Sequence, residues 1–319
     1  MNRRFTGAVA AGVVAAGTLL GGGIAAASAK RLQTIKVGTG PVADFAQLFV
    51  AQKEGYLAKN GLKVDTAPIL SGPEGVAAIK SGSIDFTYSA TLPLFLANQS
   101  GANLRYVGPG DTESPGHWQF YLEVKKGSSI RTLKQALSGG TKIGWIGSST
   151  PNAIAIQLYM RKYGIKSSGA SFVTLAPPDI TTALSNGEVQ AAIPLEPFTT
   201  IGLQTGLKQV GGPLDTIMGN DVPTGGYFTS ESWAKSNTQT IKEFDKALAQ
   251  ATHYISTHPK QTNQIIGAAL KLKPAVVNAL PPIQFVSQLP TAALQKEISE
   301  ANSVGLLSAK LKAASLITS

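Results

Sequence analysis

The chain has 319 residues, 43% of them hydrophobic and 14% charged, with a formal net charge of +10 and no Cys. That much apolar residue with so little charge can bury a core, which excludes a disordered or collagen-like chain. The length suffices for two lobes, since single cores seldom grow past roughly 250 to 300 residues. The lack of Cys removes disulfides, thiolate metal sites, iron–sulfur clusters, cysteine nucleophiles and lipid attachment at an N-terminal Cys.

Residues 1–29 read as a signal peptide. Arg3 and Arg4 form a positive start, a Gly- and Ala-rich apolar stretch follows, and Ala27-Ser28-Ala29 is an A-x-A cleavage site. The stretch is long enough to span a bilayer, but its small residues partition weakly into hydrocarbon and it ends in a peptidase site. The expectation is therefore cleavage and export of a mature chain beginning at Lys30, periplasmic or secreted, with Sec and twin-arginine routes both open. No later segment reaches 18 unbroken apolar residues. The basic excess is spread singly, Lys125-Lys126 being the longest pair, and lacks aromatic–basic interleaving. It reads as a solvated surface rather than a nucleic-acid or membrane patch.

From Thr34 onward, short β-rich runs alternate with amphipathic helical segments. TIKVGT is a strand and VADFAQLFVAQKEGYLAKN a helix; LKVDTA is a strand, PEGVAAIKSG a helix and SIDFTYS a strand. TLPLFLANQ is helical and LRYVGP a strand. A second set follows QFYLEVKKGS, with TKIGWIG, ASFVTL and EVQAAIPL as strands and PNAIAIQLYMRKYG and PDITTALSNG as helices. Such alternation indicates βαβ units and largely parallel sheets. SGPEGVAAIKSGSIDFTYS and PPDITTALSNGEVQAAIPL repeat one order of features, which points to two similar lobes. QFYLEVK and TGGYFTSE are natural crossovers between them. The expected organisation is a first lobe over 30–117 and 222–319, and a second over 118–221. From Thr238 to about Leu311 the chain is expected to be purely helical and to pack outside the first lobe.

Several chemistries are absent or poorly supported. Gly38-Thr39-Gly40-Pro41-Val42-Ala43 matches a relaxed dinucleotide turn, with Asp65 at the end of the next strand. Pro41, however, has no N–H for a pyrophosphate, and an exported protein meets little nicotinamide cofactor. The histidines are His117, His253 and His258; none has a metal-binding partner spacing, and the last two read as surface residues. Gly147-Ser148-Ser149-Thr150 lacks the second Gly of a nucleophile elbow, and no phosphate-binding GK[ST] loop occurs. No metal, cofactor or catalytic residue is expected.

What recurs is a polar, hydroxyl-bearing turn between a strand and a helix: Gly40-Pro41, Ser71-Gly72-Pro73, Ser89-Ala90-Thr91, Gly147 to Asn152, and Leu195-Glu196-Pro197-Phe198. In an open α/β sheet such turns lie at the carboxyl edge, where ligands bind. They present free backbone N–H groups and Ser or Thr hydroxyls, and they also serve simply as helix caps. None carries Lys or Arg, so an anion would be held by dipoles and hydrogen bonds. Asp44 and Glu196 are placed in the first turn of a helix, where they would suit a ligand amine or ring N–H. Trp118, Phe198 and Tyr227 are candidate walls, and His117 stands beside them.

FVAQKEGYLAKNGLKVD, SGPEGVAAIKSGSIDFTYSATLPLFLANQSGANLRYVG, VKKGSSIRTLKQALSGGTKIGWIGSST and PPDITTALSNGEVQAAIPLEPF together resemble the substrate-binding proteins of ABC importers for nitrate, sulfonate, taurine and thiamine-precursor pyrimidines. The resemblance covers roughly residues 34–200. It implies the type 2 periplasmic-binding-protein fold, two Rossmann-like lobes joined by two crossover strands. It also implies closure on a small solute and delivery to permease subunits, and a monomer is expected. Ligand contacts then fall around Pro41, Ser71-Gly72, Ser89 to Thr91, Gly147 to Thr150, and Glu196 to Phe198. The leading expected ligand is a small organic anion such as an alkanesulfonate, taurine or a carboxylate, though these turns lack the basic clamp a nitrate would need. The alternatives are a neutral heterocycle such as a pyrimidine or flavin precursor, and a secreted hydrolase using Glu196 or Asp44. A related fungal branch makes a pyrimidine with histidine and a cysteine-rich iron site, for which this chain has no Cys.

Overall fold

The computed structural model describes residues 32–114 and 120–318. The expected signal peptide, His117 and Trp118 lie outside the described residues. In chain order the first elements are β1 (Gln33–Thr39), α1 (Ala46–Lys53), α2 (Tyr56–Lys59), β2 (Leu62–Pro68), α3 (Gly72–Ser81), β3 (Phe86–Ala90), α4 (Thr91–Gln99) and β4 (Leu104–Pro109). The middle holds β5 (Asp111–Glu113), β6 (Glu123–Lys125), α5 (Leu133–Ser138), β7 (Thr141–Trp145), α6 (Pro151–Lys162), β8 (Ala170–Thr174), α7 (Pro177–Asn186) and β9 (Ala191–Ala192). It continues with α8 (Phe198–Gln204), β10 (Leu207–Gln209), α9 (Pro213–Ile217), β11 (Val222–Pro223) and β12 (Gly225–Ser230). The rest is α10 (Glu231–Ser236), α11 (Thr238–Thr257), α12 (Pro259–Leu270), α13 (Pro274–Ala279), β13 (Gln284–Phe285) and α14 (Thr291–Ser303).

Two five-stranded sheets share one topology. The first runs β2-β1-β3-β12-β4 and the second β8-β7-β9-β6-β10. In each, the first three strands are parallel and the fourth is antiparallel to both neighbours. That fourth strand is the chain crossing over: β6 enters the second sheet after the first has been laid down, and β12 returns to the first. A parallel sheet needs helical crossovers on its faces, and its central strands are buried on both sides. Ile35, Val37, Phe86 and Ile143 are accordingly 0% exposed.

On the first sheet, α11 presents Ile241, Phe244, Leu248, Ala251 and Ile255 inward at alternating three- and four-residue spacing, the stripe of a helix that covers a sheet. Phe244 meets Phe86 at 4.9 Å and Tyr227 at 5.2 Å between ring centroids. Tyr227, expected as a ligand wall, is 0% exposed in this core and does not line the cleft between the lobes. The alternation along β12 turns it toward α11.

Other expectations are corrected. The single helix over 42–60 is a 3-10 turn at Ala43–Phe45 followed by α1 and α2. They part at Gly55, whose φ of 72° ends the first helix. The C-terminal region is not purely helical. Pro281 and Pro282 cannot continue a helix, and the following β13 pairs with β5 in a small antiparallel sheet, β11-β5-β13. Nor does that region pack only on the first lobe, because α13 touches α8 and α14 touches α6. Among the described residues no helix is long and apolar enough to cross a membrane.

Candidate functional site

The turns after β1, β2, β3, β7 and β9 converge on one cleft of about 320 Å³. Each parallel strand delivers its chain to the same edge of its sheet, and the two sheets turn those edges toward each other, which makes the cleft a carboxyl-edge crevice shared by two lobes. From the first lobe come Gly40, Pro41 and Asp44, then Ser71 and Gly72, then Ser89 and Ala90. From the second come Gly147, Ser148, Ser149, Thr150 and Leu195.

Local chemistry explains how each turn is held. Ser71 caps α3: its Oγ accepts the Glu74 N–H at 3.3 Å, while the Leu70 N–H donates to the Glu74 carboxylate at 2.8 Å. A Cβ on Gly72 would fall 2.5 Å from Pro93 Cγ and 2.6 Å from Ser89 Oγ, so only Gly lets α3 and α4 meet at the rim. Thr150 stands at the N-cap position of α6 but makes no side-chain cap; its hydroxyl donates to the Gly147 carbonyl at 3.3 Å.

Thr91, Glu196 and Phe198 do not line the cleft. The Thr91 hydroxyl is 0% exposed and donates to the Glu297 carboxyl. Glu196 precedes α8 rather than sitting in its first turn, and its carboxylate accepts the Thr200 N–H at 3.3 Å. The Glu196 backbone carbonyl instead bridges the lobes, accepting the Ala43 N–H at 2.9 Å. Phe198 packs against the core. Asp65, the ribose-binding candidate, is a surface residue paired with Lys63 at 3.1 Å, and His253 and His258 are exposed as expected.

Among the described residues the aromatic part of the wall is Phe45, Tyr88 and Phe120, which the sequence reading did not name, with prolines 41, 73, 93, 151 and 177 around it. Phe45 follows Asp44 directly, a signal that was available; Tyr88 lies inside β3 and reads from sequence as core. The Tyr88 hydroxyl donates to the Asp111 carboxylate, and Phe45 lies 5.3 Å from Tyr88.

The electrostatics are one-sided. Among the described residues lining the cleft, Asp44 supplies the carboxyl, and it is 5% exposed. Burial, then Asp111, and more weakly Glu113 and Glu196, hold its carboxyl well above the usual range, although its own backbone N–H opposes this. Behind the cleft, burial pushes Glu196 up to about 7, against the Thr200 hydrogen bonds. Burial and then Glu196 push Glu123 up to about 8. Two buried cleft-lining atoms have no hydrogen-bond partner, Asp44 Oδ1 from the first lobe and Asn152 Oδ1 from the second. Among the described residues no group of three or more His, Cys, Asp or Glu is placed to hold a metal ion.

Residues 42–262 match the family described as NMT1/THI5 like. The chain is 24% identical over 249 residues to a protein of Brucella abortus named as a binding protein, spanning 76% of this chain and 73% of that one. It is 24% identical over 223 residues to the 4-amino-5-hydroxymethyl-2-methylpyrimidine phosphate synthase THI13 of Saccharomyces cerevisiae, spanning 66% and 63%. In structure it resembles the alkanesulfonate-binding protein SsuA of Xanthomonas axonopodis pv. citri bound to MOPS, with a TM-score of 0.74, 19% identity and coverage of 89% and 98%. The periplasmic nitrate-binding protein NrtA of Synechocystis PCC 6803 gives a TM-score of 0.73, 14% identity and coverage of 88% and 84%. The chain belongs to the NMT1/THI5-like family and has the periplasmic-binding-protein fold of ABC-importer binding proteins.

Proposed function

We propose that the protein is an exported, monomeric solute-binding protein, without a catalytic step, that captures a small organic molecule between its lobes and hands it to an ABC-type permease. We assign the lobes to 30–117 with 222–319, and 118–221. The observation that carries the reading is the convergence of strand-end turns from both sheets on one cleft. A cleft of about 320 Å³ lies at the lower end of the range of small-molecule pockets, roughly 300 to 1,000 Å³. Closure would bury the ligand and form the surface a permease reads, as a population shift driven by differential affinity. A hydrolase using Glu196 finds no support, since that carboxylate is turned away from the cleft onto Thr200.

Of the two ligand classes, the walls favour the neutral heterocycle over the small organic anion. Among the described residues no Lys or Arg lines the cleft, and an anion there would meet a buried carboxyl and no cationic partner. Phe45, Tyr88 and Phe120 offer flat apolar surface for a ring. The anion reading keeps the support of the sulfonate- and nitrate-binding neighbours. Thermal melts of the mature chain against pyrimidines, sulfonates, carboxylates and nitrate separate the two. A true ligand at about a hundred times its Kd adds roughly 2.7 kcal/mol of stability. A shift with sulfonates or nitrate but none with pyrimidines would reverse the preference.

A further inference from the structure

Asp44 and Asn152 face one cavity from opposite lobes. Asp44 belongs to the 3-10 turn after β1, and Asn152 to the first turn of α6 after β7. They are 5% and 4% exposed, and each leaves one buried side-chain oxygen, Oδ1, with no hydrogen-bond partner among the described residues. A buried polar atom without a partner costs its full desolvation penalty, so such atoms are rare and point to something that fills them. Asn152 Oδ1 is an acceptor, and the Asp44 carboxyl, which burial holds toward its protonated form, still keeps one acceptor oxygen. The Ser and Thr hydroxyls of the cleft can donate or accept and so do not discriminate between ligands, whereas these oxygens call for N–H or O–H donors.

We infer that Asp44 and Asn152 are the specificity-determining acceptors of the cleft, and that they select a solute presenting N–H donors on two sides, one taken by each lobe. A ligand of this kind would tie the lobes together through its own hydrogen bonds, so recognition and closure would be a single event. Solutes whose polar atoms are all acceptors would leave Asn152 Oδ1 unpaired and be rejected. The same asymmetry operates wherever a site built to hydrogen-bond one group meets an analogue that lacks it. This inference rests on the solute-binding reading above and specifies its ligand chemistry.

The test uses matched pairs of probes on the mature wild-type chain by titration calorimetry: 2,4-diaminopyrimidine against pyrimidine, and taurine against ethanesulfonate. The amino-bearing member of a pair is expected to bind at least about ten-fold more tightly, the scale of one buried hydrogen bond to a charged or otherwise unpaired group. Asp44→Leu and Asn152→Leu, which each remove an acceptor, are each expected to erase that preference while the unliganded melt stays two-state. The wild-type comparison needs no variant, so a misfolded substitution does not silence the test. Equal or tighter binding of the amino-free member would overturn the inference and leave the solute-binding reading standing. So would folded variants that keep the wild-type preference. Failure of every probe to bind the wild-type chain would count against both.

Discussion

Glu123, Glu196 and Glu297 are carboxyl groups almost wholly withdrawn from water, and their protonation ties stability to pH. Burial is the main cause in each, and their values rise from the ordinary 4.5 to about 8, about 7 and about 8. Below about pH 4.5 both folded and unfolded chains hold these protons and the full stability is present. As pH climbs toward 8 the unfolded chain ionises first while the folded chain still holds its protons, so stability falls by on the order of 1.4 kcal/mol per pH unit for each group. Melting temperature should therefore drop between pH 5 and pH 8. Glu123→Gln, a neutral replacement at a position with both carboxyl oxygens unpartnered, should flatten that slope and melt higher at pH 8. An unchanged slope in that variant would refute the assignment. A second residue-scale outcome concerns the rim. Gly72→Ala pushes a methyl group into Pro93 and Ser89, and overpacking of this kind costs about 1 to 3 kcal/mol. It should lower the melting temperature and weaken ligand binding together. At this scale the sequence was readable where chemistry sits in a turn: Ser71, Gly72, Ser89 and Thr150 were found from their place after a strand. The burial of Glu123 was not, because a single acid within a short apolar strand looks the same whether it faces water or a neighbouring lobe. Tyr227 was placed on the wall for the same reason: it lies in a strand, and only the packing of α11 makes its ring core.

The elements themselves were mostly legible, since a period of 2 alternating with a period of 3.6 and punctuated by Gly survives tertiary context well. The repeated order of features in the two halves became the same strand order in two sheets. What the pattern did not carry was long-range pairing. β9 is two residues long because only Ala191 and Ala192 find partners on both sides. The small sheet β11-β5-β13 joins segments far apart in the chain, with no local signature beyond two prolines. Capping is the element-scale feature that can be measured. Ser71 and Glu74 satisfy the start of α3 reciprocally, and loss of such a cap costs about 1 kcal/mol. Ser71→Ala should destabilise the chain by that amount, whereas Thr150→Ala should cost less at α6, whose N-cap side chain makes no capping bond. Urea unfolding of the two variants side by side checks the order; equal losses would mean that the Ser71 contact is not worth a cap.

At the scale of the molecule the two lobes are joined by two connections that lie side by side. β5 and β11 pair antiparallel, Val222 opposite Glu113 and Pro223 opposite Thr112. The Thr224 hydroxyl donates to the Asp111 carbonyl at 2.9 Å, and Ser114 donates to the Asp221 carboxylate at 2.6 Å. Side-by-side connections allow rotation about one line and resist shear, which suits hinge closure. The Ala43 N–H donates to the Glu196 carbonyl at 2.9 Å and ties one lobe to the other. The tie can be removed without touching a cleft side chain. Ala43 opens its 3-10 turn behind Val42, which holds an extended ψ of 155°. That is the backbone a proline requires of the residue before it, and the first position of a helical turn tolerates proline. Ala43→Pro therefore deletes the donor and places ring carbons against the Glu196 carbonyl while leaving each lobe able to fold. The open form should gain at the expense of the closed one by about 0.5 to 1.5 kcal/mol, the net worth of one hydrogen bond. Apparent ligand affinity would then fall about 2- to 13-fold with little change in the unliganded melt. In small-angle scattering, ligand should draw the wild-type radius of gyration toward the roughly 19 Å of a compact chain of this size. The variant should need proportionately more ligand to reach the same value. Full wild-type affinity in a folded Ala43→Pro chain would mean that the lobes close without this bond.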